Sequence, residues 1–296
     1  MHQNTGQGIS SLSNTQLEDV IAEIEQAIDW HQSWYKNLLR CLIADTPANE
    51  QDLADNAHNF CRFGQWFNKL PDQTIKLHPH FSEIASAHKK MHQGAKVLLS
   101  LKESKTVIPV NLLDQFHADL DRLRELFDCL IDEFTEVLHT RDPLTGASNR
   151  TNLLENLQKE HELCKRKSLS CALIMIDLDH FKQVNDEFGH AAGDKVLIAL
   201  VKCIKSQLRK YDQLYRYGGE EFLVCLPQTE LDDAKSFSER LRAGVEALKI
   251  DISNDNHINV TGSFGVTLIN ADDNIETAIE RADEAMYQAK KSGRNR

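Results

Sequence analysis

The hydrophobic pattern changes period near residue 140, and a chain with such a break is expected to fold as two domains, one large domain being the lesser alternative. From Asn14 to Thr140 apolar residues recur every three to four positions and glycine is rare, a helical grammar. Beyond it, short apolar runs alternate with helical stretches, the grammar of sheet and helix combined. Asp142-Pro143 marks the junction, because proline disfavours helix in the residue before it. A length of 296 residues suits two domains, each able to bury a core without staples. The expected bounds are a flexible leader over 1–13, a helical domain over 14–140 and an α/β domain over 141–296.

Turn signals in the helical half fall at Asp45–Asn49, Leu70–Gln73 and Ser104–Pro109, so four helices are expected. The first carries an apolar stripe through Leu17, Ile21, Ile24, Ile28 and Tyr35 towards Leu38 and Leu42. The second is expected over about Gln51–Phe67, the third over Phe81–Leu101, and the fourth from Pro109. Short connections make neighbouring helices antiparallel, hence a four-helix bundle. In the fourth, Phe116, Leu120, Leu123, Phe127, Leu130, Phe134 and Val137 alternate by four and three, a heptad seam. It serves either a partner helix or the bundle's own core.

After the junction the pattern predicts a helix over Ser148–Lys167, a buried strand over Cys171–Ile176 and a helix over Gly193–Leu208. Strands over Gln213–Tyr217 and Glu221–Leu226 meet at Gly218-Gly219, a hairpin signal. A helix over Leu231–Leu248, a strand over Ile258–Ile269 and a helix over Ile275–Lys291 complete the half. This order suggests a ferredoxin-like α/β sheet with helices packed on it.

A net charge of −11 argues against nucleic-acid wrapping and against anionic membranes, while leaving room for a local basic pocket around a phosphorylated small molecule. No apolar run approaches a membrane span, and Met1–Ser13 lacks a signal-peptide pattern, so a cytoplasmic protein is expected. Seven cysteines without a disulfide-scaffold spacing fit a reducing compartment.

Acidic groups cluster at two strand ends, Asp177 after the first strand and Glu220-Glu221 at the hairpin tip. If these strands are neighbours, Asp177 and Glu220 converge, and close carboxylates repel unless cations lie between them. All-oxygen donors select Mg²⁺, whose shell substrate phosphates commonly complete. The alternative is a helix cap beside solvated hairpin charges.

These stretches resemble the diguanylate cyclase, or GGDEF, family. The matching blocks are Asp142-Pro-Leu-Thr-Gly146, Asp177-Leu-Asp-His-Phe-Lys-Gln-Val-Asn-Asp186, Gly189-His-Ala-Ala-Gly-Asp194, Arg216-Tyr-Gly-Gly-Glu-Glu-Phe222 and Lys290-Lys-Ser-Gly-Arg294, in family order. The resemblance implies condensation of two GTP to cyclic di-GMP with release of two pyrophosphates, each GTP on one protomer of a homodimer. It assigns Asp177, the Leu178 carbonyl and Glu220 to two Mg²⁺ per half-site, with Glu220 also a proton acceptor. Phe181 and Lys182 amides, Lys290 and Arg294 would hold phosphates. Asn185 and Asp194 would read the guanine edge, where adenine would leave a buried carboxylate unpaired. His190 is a nucleotide contact by resemblance or a turn residue on its own. Arg209-Lys-Tyr-Asp212 stands where members carry an inhibitory product site, with Arg240 as a further contributor.

The helical half holds His31, Cys61 and the i,i+4 pair His88 and His92, which faces one way. Three imidazoles and a thiolate suit one tetrahedral Zn²⁺, although such a set also arises by chance among 13 histidines. His31-Gln-Ser-Trp34, Cys61-Arg-Phe-Gly-Gln-Trp66 and His88-Lys-Lys-Met-His92 resemble the chemoreceptor zinc-binding (CZB) domain. That resemblance implies one Zn²⁺ per regulatory domain, inhibitory in effect. His58, His78 and His80 are expected at the surface, and the remaining cysteines in packing roles.

Overall fold

The structure is a computed structural model that describes residues 12–44, 46–70, 73–76, 78–167, 169–253, 256–270 and 272–296. Contacts divide the chain into two compact units that meet in sequence at His139 and Thr140.

The first unit is built on three long helices, α1 (Asn14–Ala44), α4 (Pro79–Glu103) and α5 (Val110–His139). The shorter α2 (Arg62–Lys69) and α3 (Gln73–Lys76) lie between α1 and α4 in the chain. A reciprocal cap starts α1: the Ser13 amide donates to Gln16 Oε1 at 2.8 Å, and the Gln16 amide to Ser13 Oγ at 3.2 Å. Order therefore reaches into the expected leader, since Leu12 is buried in the bundle core. Residues 1–11 of that leader lie outside the described residues.

The helix expected over Gln51–Phe67 is much shorter. Two 3-10 turns, Glu50–Leu53 and Ala57–Asn59, come first, and only Arg62–Lys69 is α-helical. Asp52, Asp55, Asn56 and Asn59 favour local side-chain bonding over helix, and the Asn49 side chain accepts from the Gln51 amide at 3.1 Å. In α5 the seam residues Phe116, Leu123, Phe127, Leu130 and Phe134 are buried, with Leu120 and Val137 packed against the same core. The heptad seam thus faces its own bundle, chiefly α4.

The second unit contains β1 (Cys171–Leu178), β2 (Gln213–Arg216), β3 (Glu221–Pro227), β4 (Ile250–Ser253), β5 (Asn256–Ile258) and β6 (Gly262–Ile269). Its helices are α6 (Leu153–Lys167), α7 (Phe181–Phe188), α8 (His190–Lys205), α9 (Leu231–Glu246) and α10 (Ile275–Lys291). One sheet runs β2-β3-β1-β6, every neighbour antiparallel, which is the ferredoxin-like order. Along β1, Ala172, Ile174 and Ile176 enter one core while Cys171, Leu173 and Met175 enter another, so helices cover both faces.

Local differences from expectation have backbone causes. Ser148 bonds β2 instead of starting a helix, its amide donating to the Leu214 carbonyl at 3.0 Å and its carbonyl accepting from the Arg216 amide at 2.7 Å. The strand expected over Ile258–Ile269 is interrupted: β5 pairs with β4 in a separate hairpin, and β6 joins the main sheet. Helix α7 was not anticipated, and Cys129 is exposed instead of packed. Gly265 in β6 lets α10 approach, because the backbone of Ala282 and Met286 occupies the place of a Cβ there.

Candidate functional site

Pairing of β1 with β3 sets Asp177 opposite Glu221, and the Leu178 amide points to the Glu220 carbonyl at 3.4 Å. Asp177 is 4% exposed. Its Oδ2 meets Lys290 Nζ at 2.7 Å, delivered by α10. Its Oδ1 is buried and has no hydrogen-bond partner. Burial pushes the Asp177 carboxyl up, against the pull of Lys290, while Asp179 and Asp283 push it further. Glu220 and Glu221 are raised as well, first by burial and then by Asp177. Asp177, with its buried unpartnered oxygen, and the neighbouring Glu220 and Glu221, all raised by burial, offer carboxylate oxygens of the kind Mg²⁺ takes.

Helix α7 follows β1 after a left-handed His180, φ 58°. Phe181 opens the helix and is buried, while Lys182 is exposed, so both expected phosphate contacts lie in the first turn of α7. Asn185 is half-buried against Gly193, where any Cβ would strike its side chain. His190 and Asp194 are exposed on the first turns of α8. Asp194 is therefore not the buried carboxylate that the expected guanine contact describes. Arg294 is exposed, with its amide bonded to the Ala289 carbonyl at 3.0 Å. Arg209 and Asp212 close one turn, the Arg209 amide donating to Asp212 Oδ2 at 2.7 Å. Burial raises the Asp212 carboxyl, partly offset by that bond. Arg240 stands on α9 with its guanidinium over the Phe237 ring at 4.7 Å.

Several supporting residues escaped the sequence reading. Arg216 Nη1 reaches both Asp142 oxygens at 3.0 Å, and its Nη2 and Nε donate to the Gly219 carbonyl at 2.7 and 3.3 Å. Asp142 also accepts from the Thr145 amide and hydroxyl at 2.8 and 2.6 Å. The junction loop thereby clamps the turn that presents Glu220. Asp179 is buried and takes Thr261 and Ser263 hydroxyls at 2.7 Å each and the Asn295 amide at 3.1 Å, tying the C-terminal segment to the site. The motif blocks contained Asp142, Asp179 and Arg216; Asp283 lay in none of them, and only its place on α10 reveals it.

A second constellation lies in the first unit. Ligand atoms of His31, Cys61, His88 and His92 all fall within 4.8 Å of one another. Each comes from a defined position: His31 from α1, Cys61 from the N-cap of α2, His88 and His92 from one face of α4. Cys61 Sγ lies 3.2 Å from His88 Nε2 and accepts from the Gly64 amide at 3.3 Å. His31 Nδ1 donates to the Ala27 carbonyl at 2.7 Å, which leaves Nε2 as the inward lone pair, buried and unpartnered. Both His92 nitrogens are also buried without partners. Burial lowers His31 to about 4 and His92 to about 3 and holds His88 well below its usual value, so all three imidazoles are neutral at pH 7. Burial raises the Cys61 thiol, a cost that metal coordination reverses. One thiolate and three neutral imidazoles at this spacing fit tetrahedral Zn²⁺. His58 is half-buried, as is His80, and His78 is buried, contrary to the expected surface positions.

The second unit is covered by the family model "Diguanylate cyclase, GGDEF domain", which matches residues 139–296, and "Chemoreceptor zinc-binding domain" matches residues 31–99. The chain belongs to the GGDEF diguanylate cyclase family, and its enzyme class is diguanylate cyclase. The chain carries a CZB domain, a zinc-binding module, over residues 31–99, and GGDEF enzymes use a divalent metal. It resembles diguanylate cyclase DgcZ of Escherichia coli K12, 31% identical over 95% of this chain and 94% of that protein. Diguanylate cyclase DgcP of Pseudomonas aeruginosa is 42% identical over 52% of this chain and 23% of its own length. Among solved structures, the coiled coil and GGDEF domain of DgcB from Caulobacter crescentus, in complex with c-di-GMP, matches with TM-score 0.55 and 27% identity over 62% of this chain and 95% of that one. Diguanylate cyclase SiaD from P. aeruginosa, in complex with its activator SiaC, matches with TM-score 0.53 and 35% identity over 82% and 93%. Among the described residues no helix is long and apolar enough to cross a membrane.

Proposed function

We propose that this chain is a zinc-inhibited cyclase that joins two GTP into cyclic di-GMP and releases two pyrophosphates, one GTP held by each protomer of a homodimer. The observation that supports it most is the buried, unpartnered Oδ1 of Asp177 beside the Glu220-Glu221 turn, with Lys290 acting as a stand-in cation on Oδ2. Two Mg²⁺ per half-site, held by Asp177, the Leu178 carbonyl and Glu220, supply charge neutralisation at the triphosphate and acidify the attacking hydroxyl.

The remaining work falls to the chain itself. Phe181 and Lys182 amides at the start of α7 cradle phosphate oxygens, and Lys290 and Arg294 add charge-assisted donors. Asp194 accepts from the guanine N–H donors and Asn185 both donates to and accepts from the guanine edge, with His190 beside the nucleotide. Glu220 takes the proton of the 3′-hydroxyl brought by the other protomer as that oxygen bonds the α-phosphorus and pyrophosphate departs. Arg209, Asp212 and Arg240 form a product-binding surface that restrains turnover. Pyrophosphate release from GTP with Mg²⁺ tests the assignment. Glu220→Gln is expected to abolish nearly all turnover, and wild-type rates in that variant would remove Glu220 from the mechanism.

Regulation rests on one Zn²⁺ held by His31, Cys61, His88 and His92. Such a metal joins α1, the start of α2 and α4, so its affinity becomes conformational free energy if it prefers one helix arrangement. In the zinc form the two catalytic halves are held unproductively; removal of zinc lets two GTP-loaded sites meet. Chelation should raise the cyclase rate at a protein concentration that preserves the dimer, and an unchanged rate after verified zinc removal sinks the regulatory scheme. His88→Ala should weaken zinc binding with catalysis intact or increased.

A further inference from the structure

A second set of metal-ligating side chains lies in the first unit and shares no residue with the first. His78, His80 and Glu133 bring one ligand atom each within 4.8 Å of one another. His78 is the N-cap residue of α4, His80 lies in its first turn, and Glu133 projects from α5. His78 and His88 are separated by about 15 Å of helical rise, so the two sets are distinct.

Glu133 stands between the imidazoles, Oε1 at 3.4 Å from His78 Nε2 and Oε2 at 3.3 Å from His80 Nδ1. These separations are long for N–H···O hydrogen bonds, and neither pair makes one. Each imidazole nitrogen thus stands from one carboxylate oxygen at the spacing of about 3.3–3.4 Å found between ligands of a tetrahedral ion with bonds of about 2.0–2.1 Å. The His78 side chain is only 2% exposed, yet both its nitrogens lack a hydrogen-bond partner, and His80 Nδ1 is buried and unpartnered too. An ordinary buried histidine finds at least one partner. Two imidazoles and a carboxylate are borderline donors that suit zinc-like cations over Mg²⁺.

We propose that His78, His80 and Glu133 form a second Zn²⁺ site in the regulatory domain, with solvent completing the shell. His80 and Glu133 side chains are 30% and 24% exposed, which leaves the ion a route in and a place for water. The site does what the first set does not. The His31–Cys61–His88–His92 set draws ligands from α1, the α2 cap and α4, whereas this one ties α4 to α5, the helix that ends at His139 where the first unit ends. Its metal fastens the α4–α5 pair itself. The inference goes beyond the functional reading above, since it requires neither cyclase activity nor inhibition.

The test uses the full chain stripped of metal, dialysed against Zn²⁺ with metal analysis, and titrated with Co²⁺ by absorption. Wild type should bind two equivalents of Zn²⁺. Glu133→Gln and His80→Ala, the latter at a half-exposed position that should not threaten folding, should each lose one equivalent while keeping wild-type far-ultraviolet helicity and the Cys61 thiolate–Co²⁺ charge-transfer band. Saturation of wild type at one equivalent overturns the proposal, and so does a second equivalent that persists in both variants.

Discussion

Deleting the Arg216 guanidinium tests whether the junction loop controls the turn that presents Glu220, the proposed proton acceptor. Arg216→Ala removes the contacts to both Asp142 oxygens at 3.0 Å and the two bonds to the Gly219 carbonyl at 2.7 and 3.3 Å. The paired side chains are 18% and 14% exposed, so most of their charge is out of water. Breaking a buried pair by deleting one partner costs about 3–5 kcal/mol. Residual exposure and the two Thr145 bonds that still satisfy Asp142 reduce the expectation to about 2–3 kcal/mol. Native-state hydrogen exchange reads this locally, and β2 and β3 amides should exchange about 30- to 150-fold faster. Gly219 immediately precedes Glu220, and a displacement of about 1 Å at a reacting group costs about 100-fold, so pyrophosphate release should fall by about that factor while KM for GTP changes little. Asp142→Asn keeps an acceptor for Thr145 but loses the charge, and a milder loss of about 1 kcal/mol is expected. In the double variant the effects should couple by about 1–3 kcal/mol. Strict additivity, or wild-type turnover in Arg216→Ala, would refute the clamp.

Gly265→Ala should destabilise the second unit by more than about 2 kcal/mol, because backbone of α10 and not a flexible side chain fills the space, and urea unfolding of β6 amides by exchange measures it. Asp179→Ala orphans the donors of Thr261, Ser263 and Asn295 and should free the C-terminal segment, read as accelerated proteolysis after Lys290; an unchanged digestion pattern contradicts the tether. Zn²⁺ at about 100 times its Kd adds about 2.7 kcal/mol to the form that binds it, so melting followed by Trp30, Trp34 and Trp66 fluorescence should rise by about 10 °C on zinc loading. In a Cys61→Ser, His92→Ala double variant that rise should shrink to what the His78–His80–Glu133 site alone contributes, and it should vanish only when Glu133→Gln is added. Leu130→Ala, at a fully buried seam position, should cost about 2–5 kcal/mol by the same melt.

Elements with one dominant local signal were legible from residues alone. Helix α10 begins and ends at Ile275 and Lys291 as its pattern predicts, with the Asn274 side chain capping the Thr277 amide at 2.7 Å. The buried run of β1 and the glycine pair before β3 gave the hairpin and the carboxylates near each other. Where the residues conflict, the reading failed. Between Glu50 and Cys61, Asp and Asn compete with an otherwise helical pattern, and two 3-10 turns result. Helix α7 is too short to announce itself by period, and its entry at a left-handed His180 is a tertiary choice.

Residue types and spacing by themselves determined the two-half organisation, the metal-competent chemistry of the His–Cys set and the acidic strand ends, because these depend on local period and donor type. Tertiary structure alone decided that Lys290 returns across the chain to Asp177, that Arg216 grips the junction loop, that the heptad seam turns inward, and that His78 is buried facing Glu133. Each of those joins groups far apart in sequence, and only the packing of helices on sheet and helix on helix sets which distant side chains share a few ångströms and how much water remains between them.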